Sequence, residues 1–319
     1  MYHPYFRGKQ YELITIRETA HLLAQANFVP VIEPVREQMS GMKKTLDALC
    51  EAGARAIVII NPQFGDHRHD GSNIVEFIGE HFEEQDNLVF GLLLTEEIST
   101  ADAMNLCTAH PHKELALVHA GFSNARELSR QVAPLPQVTT SVFLEDYCGK
   151  LYQRHFGTHT HRVLIRNGFQ RRRNRDHPDA AEFFSDLHAT YELENATGFG
   201  DYLIVGDEYL EGGGPAYTIA IHLTFIDNEK DDEMHIMHFK SDRQDTPKDP
   251  AGKFAEALEK LMAAIDARDS KFADTEAIAE FRDLHARGHY PGLGYLKKLS
   301  MKHHIETLAD YFSDAEPQE

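Results

Sequence analysis

Seven largely apolar runs, starting near residues 28, 55, 87, 114, 137, 161 and 202, constrain this chain more than any other feature. They are Phe28–Ile32, Ala56–Ile60, Leu88–Leu94, Leu115–Val118, Val138–Leu144, Val163–Ile165 and Leu203–Val205. A strand covered on one face alternates apolar with polar; an unbroken apolar run belongs to a strand covered on both, as in a parallel sheet. Helical stripes lie between the runs: Met42, Leu46, Leu49 and Cys50, then Ile74, Val75, Ile78 and Phe82, then Ala125, Leu128 and Val132. Most spacings are near the roughly 30 residues of one βα unit. Six such units in succession predict an α/β fold and favour a TIM-type (β/α)8 barrel, with an open doubly wound sheet as the alternative. The pattern places a helix over residues 11–25 before the first strand. It places a longer helix, carrying Ala181, Phe184, Leu187 and Tyr191, before the seventh.

The eighth strand reads differently. Tyr217, Ile219, Ile221, Leu223 and Phe225 alternate with Thr218, Ala220, His222 and Thr224, a period of two. After the polar turn 227–232, Met234–Phe239 reads as a return strand, so a β-hairpin is expected at strand 8, one arm closing the barrel. Beyond Pro250 the chain is helical: Phe254, Leu258, Leu261, Met262 and Ile265 form one stripe, Ile278, Phe281 and Leu284 another, and a last helix runs through Leu296 to Phe312. The expected organisation is a barrel with an N-terminal helix over 1–249, a helical extension packed on it over 250–312, and an acidic tail over 313–319.

Charge and composition narrow the setting. Asp plus Glu number 51 against 32 Lys plus Arg, a formal charge of −19. Such a surface repels a phosphate backbone, which argues against nucleic acid as a partner. Cys50, Cys107 and Cys148 are far apart and form no CxxC, so they read as buried reduced thiols. No apolar run reaches the ~20 residues of a membrane span, and the opening is polar and aromatic rather than signal-like, so no membrane association and a cytoplasmic location are expected.

Barrels of this kind carry their chemistry at the C-terminal ends of the strands. The residues ending the runs are Glu33, Asn61, Thr95 and Glu96, His119, Glu145 and Asp146, Arg166 and Asn167, and Asp207, with His222 inside the eighth strand. Glu33, Glu145 and Asp207 suit a general base or metal ligand. His119 and His222 suit acid–base or ligand roles, and Arg166 an anion clamp. Solvent-exposed strand ends are also polar for no functional reason.

The 20 histidines make a divalent metal an open option. Asp66, His67, His69 and Asp70 cluster in one loop, His222, His235 and His238 share the hairpin, and His303–His304 lie on the last helix; none has HExxH or paired-CxxC spacing. Arg171–Arg172–Arg173–Asn174–Arg175 is the one dense basic run, either an anion-holding loop or a solvated one paired with acidic neighbours. Gly212–Gly213–Gly214 reads as a flexible loop, a hinge for a lid, since no GxGxxG order or following helix accompanies it.

The opening residues Met1 to Leu13, MYHPYFRGKQYEL, together with Pro30–Val31–Ile32–Glu33–Pro34–Val35, Ile60–Asn61–Pro62, Gly200–Asp201–Tyr202 and His303–His304–Ile305, resemble uncharacterised bacterial proteins related to the phage Beta-protein family. The resemblance implies a barrel-like α/β fold and a role in phage or mobile-element conflict; it supplies no reaction. Within its motifs, Arg7 and Lys9 precede the first helix within reach of a carboxylate or phosphate, or form a structural pair with Glu12. Asp201 is expected at the opposite end of the barrel from Glu33, in a structural role.

Two readings of function follow. In the first the chain is a barrel hydrolase or lyase for a small anionic or phosphorylated substrate, with Arg7, Lys9, Asn61 and Arg166 binding it. In the second it is a non-catalytic binding or partner protein in a phage-defence or mobile-element conflict system. The first fails if these side chains prove scattered or the barrel mouth is plugged by apolar residues.

Overall fold

The computed structural model describes residues 1–157, 161–212, 214 and 216–315, with side chains to residue 313. Gly213 of the glycine run and the acidic tail beyond 315 lie outside the described residues. The chain divides into two compact units, the first formed by Met1–Asn167 and Thr190–Tyr202, the second by Gly168–Ala189 and Leu203–Glu319. The boundaries thus fall after 167, 189 and 202 rather than at 249.

The strands in chain order are β1 (Tyr5–Phe6), β2 (Val31–Ile32), β3 (Ala56–Ile59), β4 (Leu88–Thr95), β5 (Leu115–Ala120), β6 (Val138–Leu144), β7 (His161–Ile165), β8 (Glu182–Ser185) and β9 (Gly198–Gly200). The first unit is an eight-stranded parallel sheet in the order β1 to β7 and then β9. It is a nearly closed barrel. His3 N–H donates to the Phe199 carbonyl (2.7 Å), Phe199 N–H to that of Met1 (3.0 Å) and Tyr5 N–H to that of Asp201 (2.9 Å), joining the last strand to the segment leading into the first. Val31, Ile57, Ile59, Val89, Leu93, Ala116, Val118, Val142, Leu144, Val163 and Ile165 cluster inside. The alternate residues, such as Val58, Leu92, Leu117, Phe143 and Leu164, are buried as well, toward the helices. Burial on both faces is why the runs do not alternate. Each such side chain contributes roughly 1.5–3 kcal/mol.

The crossover helices are α1 (Gln10–Glu18), α2 (Ala20–Gln25), α3 (Ser40–Ala52), α4 (Ser72–Phe82), α5 (Thr100–Ala109), α6 (Ala125–Val132) and α7 (Lys150–Gln153). Ser99 Oγ accepts from Asp102 N–H at the start of α5, and Gly53 closes α3 with φ 72°. Among the described residues no helix is long and apolar enough to cross a membrane.

Three expectations about the strands are corrected. The first strand is not Phe28–Ile32. Tyr5–Phe6 precedes it, so the helices over 10–25 are the first crossover. Leu203–Val205 is a turn, and the last barrel strand is Gly198–Gly200. Glycine is required there: a Cβ on Gly200 would lie 2.0 Å from the His3 carbonyl oxygen, and one on Gly198 2.8 Å from that of Met1. The hairpin, β10 (Ala220–Asp227) and β11 (Glu233–Lys240), is no barrel strand; it belongs to a separate antiparallel sheet in the order β10, β11, β8. The expected helix around Phe184 is accordingly β8, paired with β11, followed by the single turn α8 (Leu187–Thr190).

That three-stranded sheet is the frame of the second unit. Its helices α9 (Pro250–Ile265), α10 (Glu276–Arg287) and α11 (Leu293–Ala315) pack on the hairpin and on one another. Ile219, Ile221, Leu223 and Phe239 form one core with Phe254, Leu258, Leu261, Ile278, Phe281 and Leu299. β10 is an edge strand, and α11 covers it: His303 Nε2 donates to the Thr224 carbonyl (2.9 Å), while His304 Nδ1 meets the Thr224 hydroxyl (2.8 Å). This adjacent histidine pair is structural.

Candidate functional site

The C-terminal ends of the barrel strands bring together only part of the expected set. Arg7, Glu33 and Asn61 follow β1, β2 and β3. Glu33 is 1% exposed. It accepts from the Tyr5 hydroxyl (3.0 Å) and Gln63 N–H (2.9 Å), and Arg7 Nε lies 3.6 Å away. The Arg7 guanidinium sits over the rings of Tyr5, Phe64 and Tyr202, 5.2–5.7 Å from their centres. Burial pushes the Glu33 carboxyl above its usual range; Arg7, then the donated hydrogen bonds, work against that. Asn61 lends both ends of its amide to the Leu93 backbone (2.8 Å each), extending the ladder between β3 and β4. Lys9 caps α1, and its neighbour in the motif, Arg7, donates its backbone N–H to Glu12 (2.6 Å).

The other candidates stand elsewhere. His119 is fully buried among Tyr152 (2.7 Å to the hydroxyl), Ser141 (3.2 Å) and the stacked ring of Phe143. Strand alternation turns it outward, since Val118 lines the barrel interior. Glu145 and Arg166 pair at 2.7 Å in a network with Lys150 and Glu194, so the expected anion clamp already holds two carboxylates. Asp207 and His222 belong to the second unit. Within the first unit, then, His119 faces away from the barrel interior and Glu145 and Arg166 are engaged with one another.

A different cluster does converge, in the second unit. His177, His222 and His238 can each direct one ring nitrogen so that all lie within 4.8 Å of one another. His222 and His238 are directly opposed on the hairpin, on the face away from Ile221 and Phe239. Their Nδ1 atoms are 2.7 Å apart. His177 arrives from the loop after Asn174–Asp176 and packs against His238 with the rings tilted by 33° and their centres 4.2 Å apart. Phe169 packs against His177 and His222.

Glu182 on β8 organises this cluster. It accepts from His238 Nε2 (2.9 Å), and Arg172 donates to both its oxygens (2.8 Å). A carboxylate only accepts, so His238 carries its proton on Nε2 and presents a lone pair on Nδ1. The same Glu182 oxygen lies 3.9 Å from His177 Nδ1, a buried atom with no hydrogen-bond partner. Burial, then His238 and Arg172, lower the His177 pKa to about 4. Burial and the two neighbouring imidazoles hold His222 well below its ordinary value, and burial lowers His238 against the pull of Glu182. Neutral imidazoles are the ligand form.

The sequence grouping was right for His222 and His238 and wrong for its third member. His235 lies on the other face, where it stacks on Phe225 and pairs with Glu233. Strand parity excludes it, since 235 and 238 differ by an odd number. His177, two residues beyond the basic run, was missed; Arg172 of that run is paired with Glu182 and Arg171 with Glu208.

No protein-family model matches the sequence, and no match is found among curated proteins. Among solved structures, the enoyl reductase domain of MlnA from the macrolactin biosynthesis cluster of Bacillus amyloliquefaciens is similar at 9% identity over 100% of this chain and 83% of that one, with a TM-score of 0.39. So distant a likeness carries no argument about fold or activity.

Proposed function

We propose that this protein is a metal-dependent enzyme, a hydrolase or lyase in which His177, His222 and His238 hold a zinc-class divalent ion and the substrate is small and anionic. The observation that carries the reading is the convergence of three neutral imidazoles with Glu182 fixing the tautomer of one of them. A histidine that ligates metal almost always gives its other N–H to such a partner. Three protein ligands and an open fourth position are the catalytic zinc pattern, in which the ion brings the pKa of bound water to about 7. The sign of the substrate follows from the surroundings. Arg172 and Lys240 both act on His177, and the loop delivering it is the one dense basic segment of an acidic chain. The barrel is read as TIM-type, supported by its parallel order and layered interior.

Metal analysis of protein purified without chelator tests this. One zinc per chain, lost in His238→Ala, and hydrolysis of an anionic ester that follows metal content are the expected results. Metal-free protein that also fails to take up zinc or cobalt ends the reading.

The alternative is a non-catalytic partner protein in a phage-defence or mobile-element conflict system. Its support is the resemblance in the opening motifs, together with the internal engagement of Tyr2 with Asp201, Arg7 with Glu33 and Asn61 with Leu93. A stable protein partner, retained when the three histidines are replaced, would favour it.

A further inference from the structure

We propose that the barrel carries a ligand site of its own, a cavity beyond the C-terminal ends of β3 and β4 that binds a small protonated amine. The cavity measures about 250 Å³ and lies between the loop 61–71 and the start of α5. Its size suits a metabolite rather than a drug-sized molecule, whose pockets begin near ~300 Å³.

The loop that forms its wall is fixed before any ligand arrives. Gln63 N–H is held by the buried carboxylate of Glu33 (2.9 Å), Asp66 N–H by the Val35 carbonyl (3.1 Å), and Asp66 Oδ2 accepts from Glu37 N–H (2.8 Å). Gly65, at φ 76°, lies so close to Val35 that a Cβ would sit 2.1 Å from its carbonyl oxygen. A wall tied down at this many points is preorganised, which lowers the ordering cost of binding.

His67 names the ligand's chemistry. It lines the cavity and is 3% exposed. Its Nε2 is 3.0 Å from the Arg36 carbonyl, which can only accept, so Nε2 carries a proton, and in the neutral ring Nδ1 offers a lone pair. Nδ1 forms no hydrogen bond to any described residue and keeps some access to solvent. The ligand must therefore donate a hydrogen. Asp70, Glu97 and Asp102 stand around the same space against one guanidinium, Arg68, so the donor is favoured when it is cationic. Thr95 adds a hydroxyl, while Ile98 and Leu106 offer an apolar wall for a short alkyl body. The formal charge of −19 draws cations toward the protein from a distance. An ammonium head on a short chain meets all of these demands.

Calorimetric titration of the full chain in amine-free buffer tests the proposal, with n-butylammonium chloride as probe and sodium butyrate and inorganic phosphate as controls. Saturable one-to-one binding of the amine, with both controls silent, is the expected result. His67→Ala and Glu97→Gln should each weaken it by about tenfold or more. Glu97 is exposed, so its variant reads out the site even if His67→Ala fails to fold. Zinc uptake at the histidine cluster is measured alongside and is expected to be unchanged, so the two sites fail or stand separately. Absence of saturable amine binding, binding unaltered in Glu97→Gln, or preferential binding of butyrate or phosphate overturns the proposal.

Discussion

His222 and His238 face each other across the β10–β11 hairpin with their Nδ1 atoms 2.7 Å apart. The ladder sets this approach, because directly opposed residues in an antiparallel pair bring their Cβ atoms to roughly 4.5–5.5 Å. On the proposed reading the hairpin would offer two ligands from regular structure, and His177 a third from a loop. Replacing either hairpin histidine with alanine should abolish zinc uptake. His177→Ala should leave weaker uptake by the remaining pair. Competition titration against a chromophoric chelator separates the three variants, and equal loss in all of them would contradict the two-plus-one arrangement.

Glu182 should act through His238 rather than on the metal. Glu182→Gln keeps an acceptor for Nε2 but loses the charge, and a roughly 10–100-fold loss of affinity is expected, with stoichiometry restored at high metal. Glu182→Ala should be worse. Cobalt absorption in the visible range reads the geometry directly; an unchanged affinity in both variants would remove Glu182 from the site.

Acid should weaken the second unit in a defined window. His303 is fully buried, and burial lowers its pKa from 6.5 to about 4. Between those values the unfolded chain takes up a proton that the folded chain refuses. Stability therefore falls as pH drops from 6.5 toward 4, by up to about 1.4 kcal/mol per pH unit for this group, and is fully recovered above 6.5. Urea unfolding at pH 7, 6 and 5 should show a shallower decline in His303→Gln than in the parent; parallel declines would show that His303 does not carry it.

Glu33 should matter to the barrel through Arg7. Removing it takes a buried carboxylate from beside the Arg7 guanidinium and releases Gln63 and Tyr5. Glu33→Ala should cost about 3–5 kcal/mol of barrel stability, measured by denaturant unfolding, with zinc uptake by the histidine cluster intact. A loss below about 1 kcal/mol would mean the pair is dispensable.

Gly200→Ala tests the barrel seam. The added methyl would meet the His3 carbonyl oxygen at 2.0 Å and Ile165 Cδ1 at 2.5 Å. Overpacking against backbone should cost at least about 2 kcal/mol. Thermal unfolding checks this, and a neutral variant would mean that the seam yields.

The middle of the barrel was legible because Ala56–Ile60, Leu88–Leu94 and Leu115–Val118 are buried on both faces and so carry no polar alternation. Its two ends were not. Tyr2, Tyr5 and Phe6 are separated by His3 and Pro4, which hides a strand. Gly198 and Gly200 carry no side chains because the neighbouring backbone takes their place, which leaves Phe199 as the segment's one apolar side chain. The hairpin was visible from its period of two, but alternation reports exposure, not which sheet a strand joins. Two of three clustered histidines were found because they share a strand pair. The third, His177, is close only after folding.

The chain crosses between its two units after Asn167, Ala189 and Tyr202. His177 and Glu182 come from the inserted segment, whereas His222 and His238 follow the last barrel strand in sequence. An ion held by all three histidines would therefore clasp the two ends of the stretch that contains β9. It would act as a reversible cross-link, taking loop entropy from the unfolded chain in the way a disulfide does. Resistance to unfolding would then track metal supply even in a catalytically dead variant, and the second unit could not be excised as one continuous fragment with its histidine cluster complete.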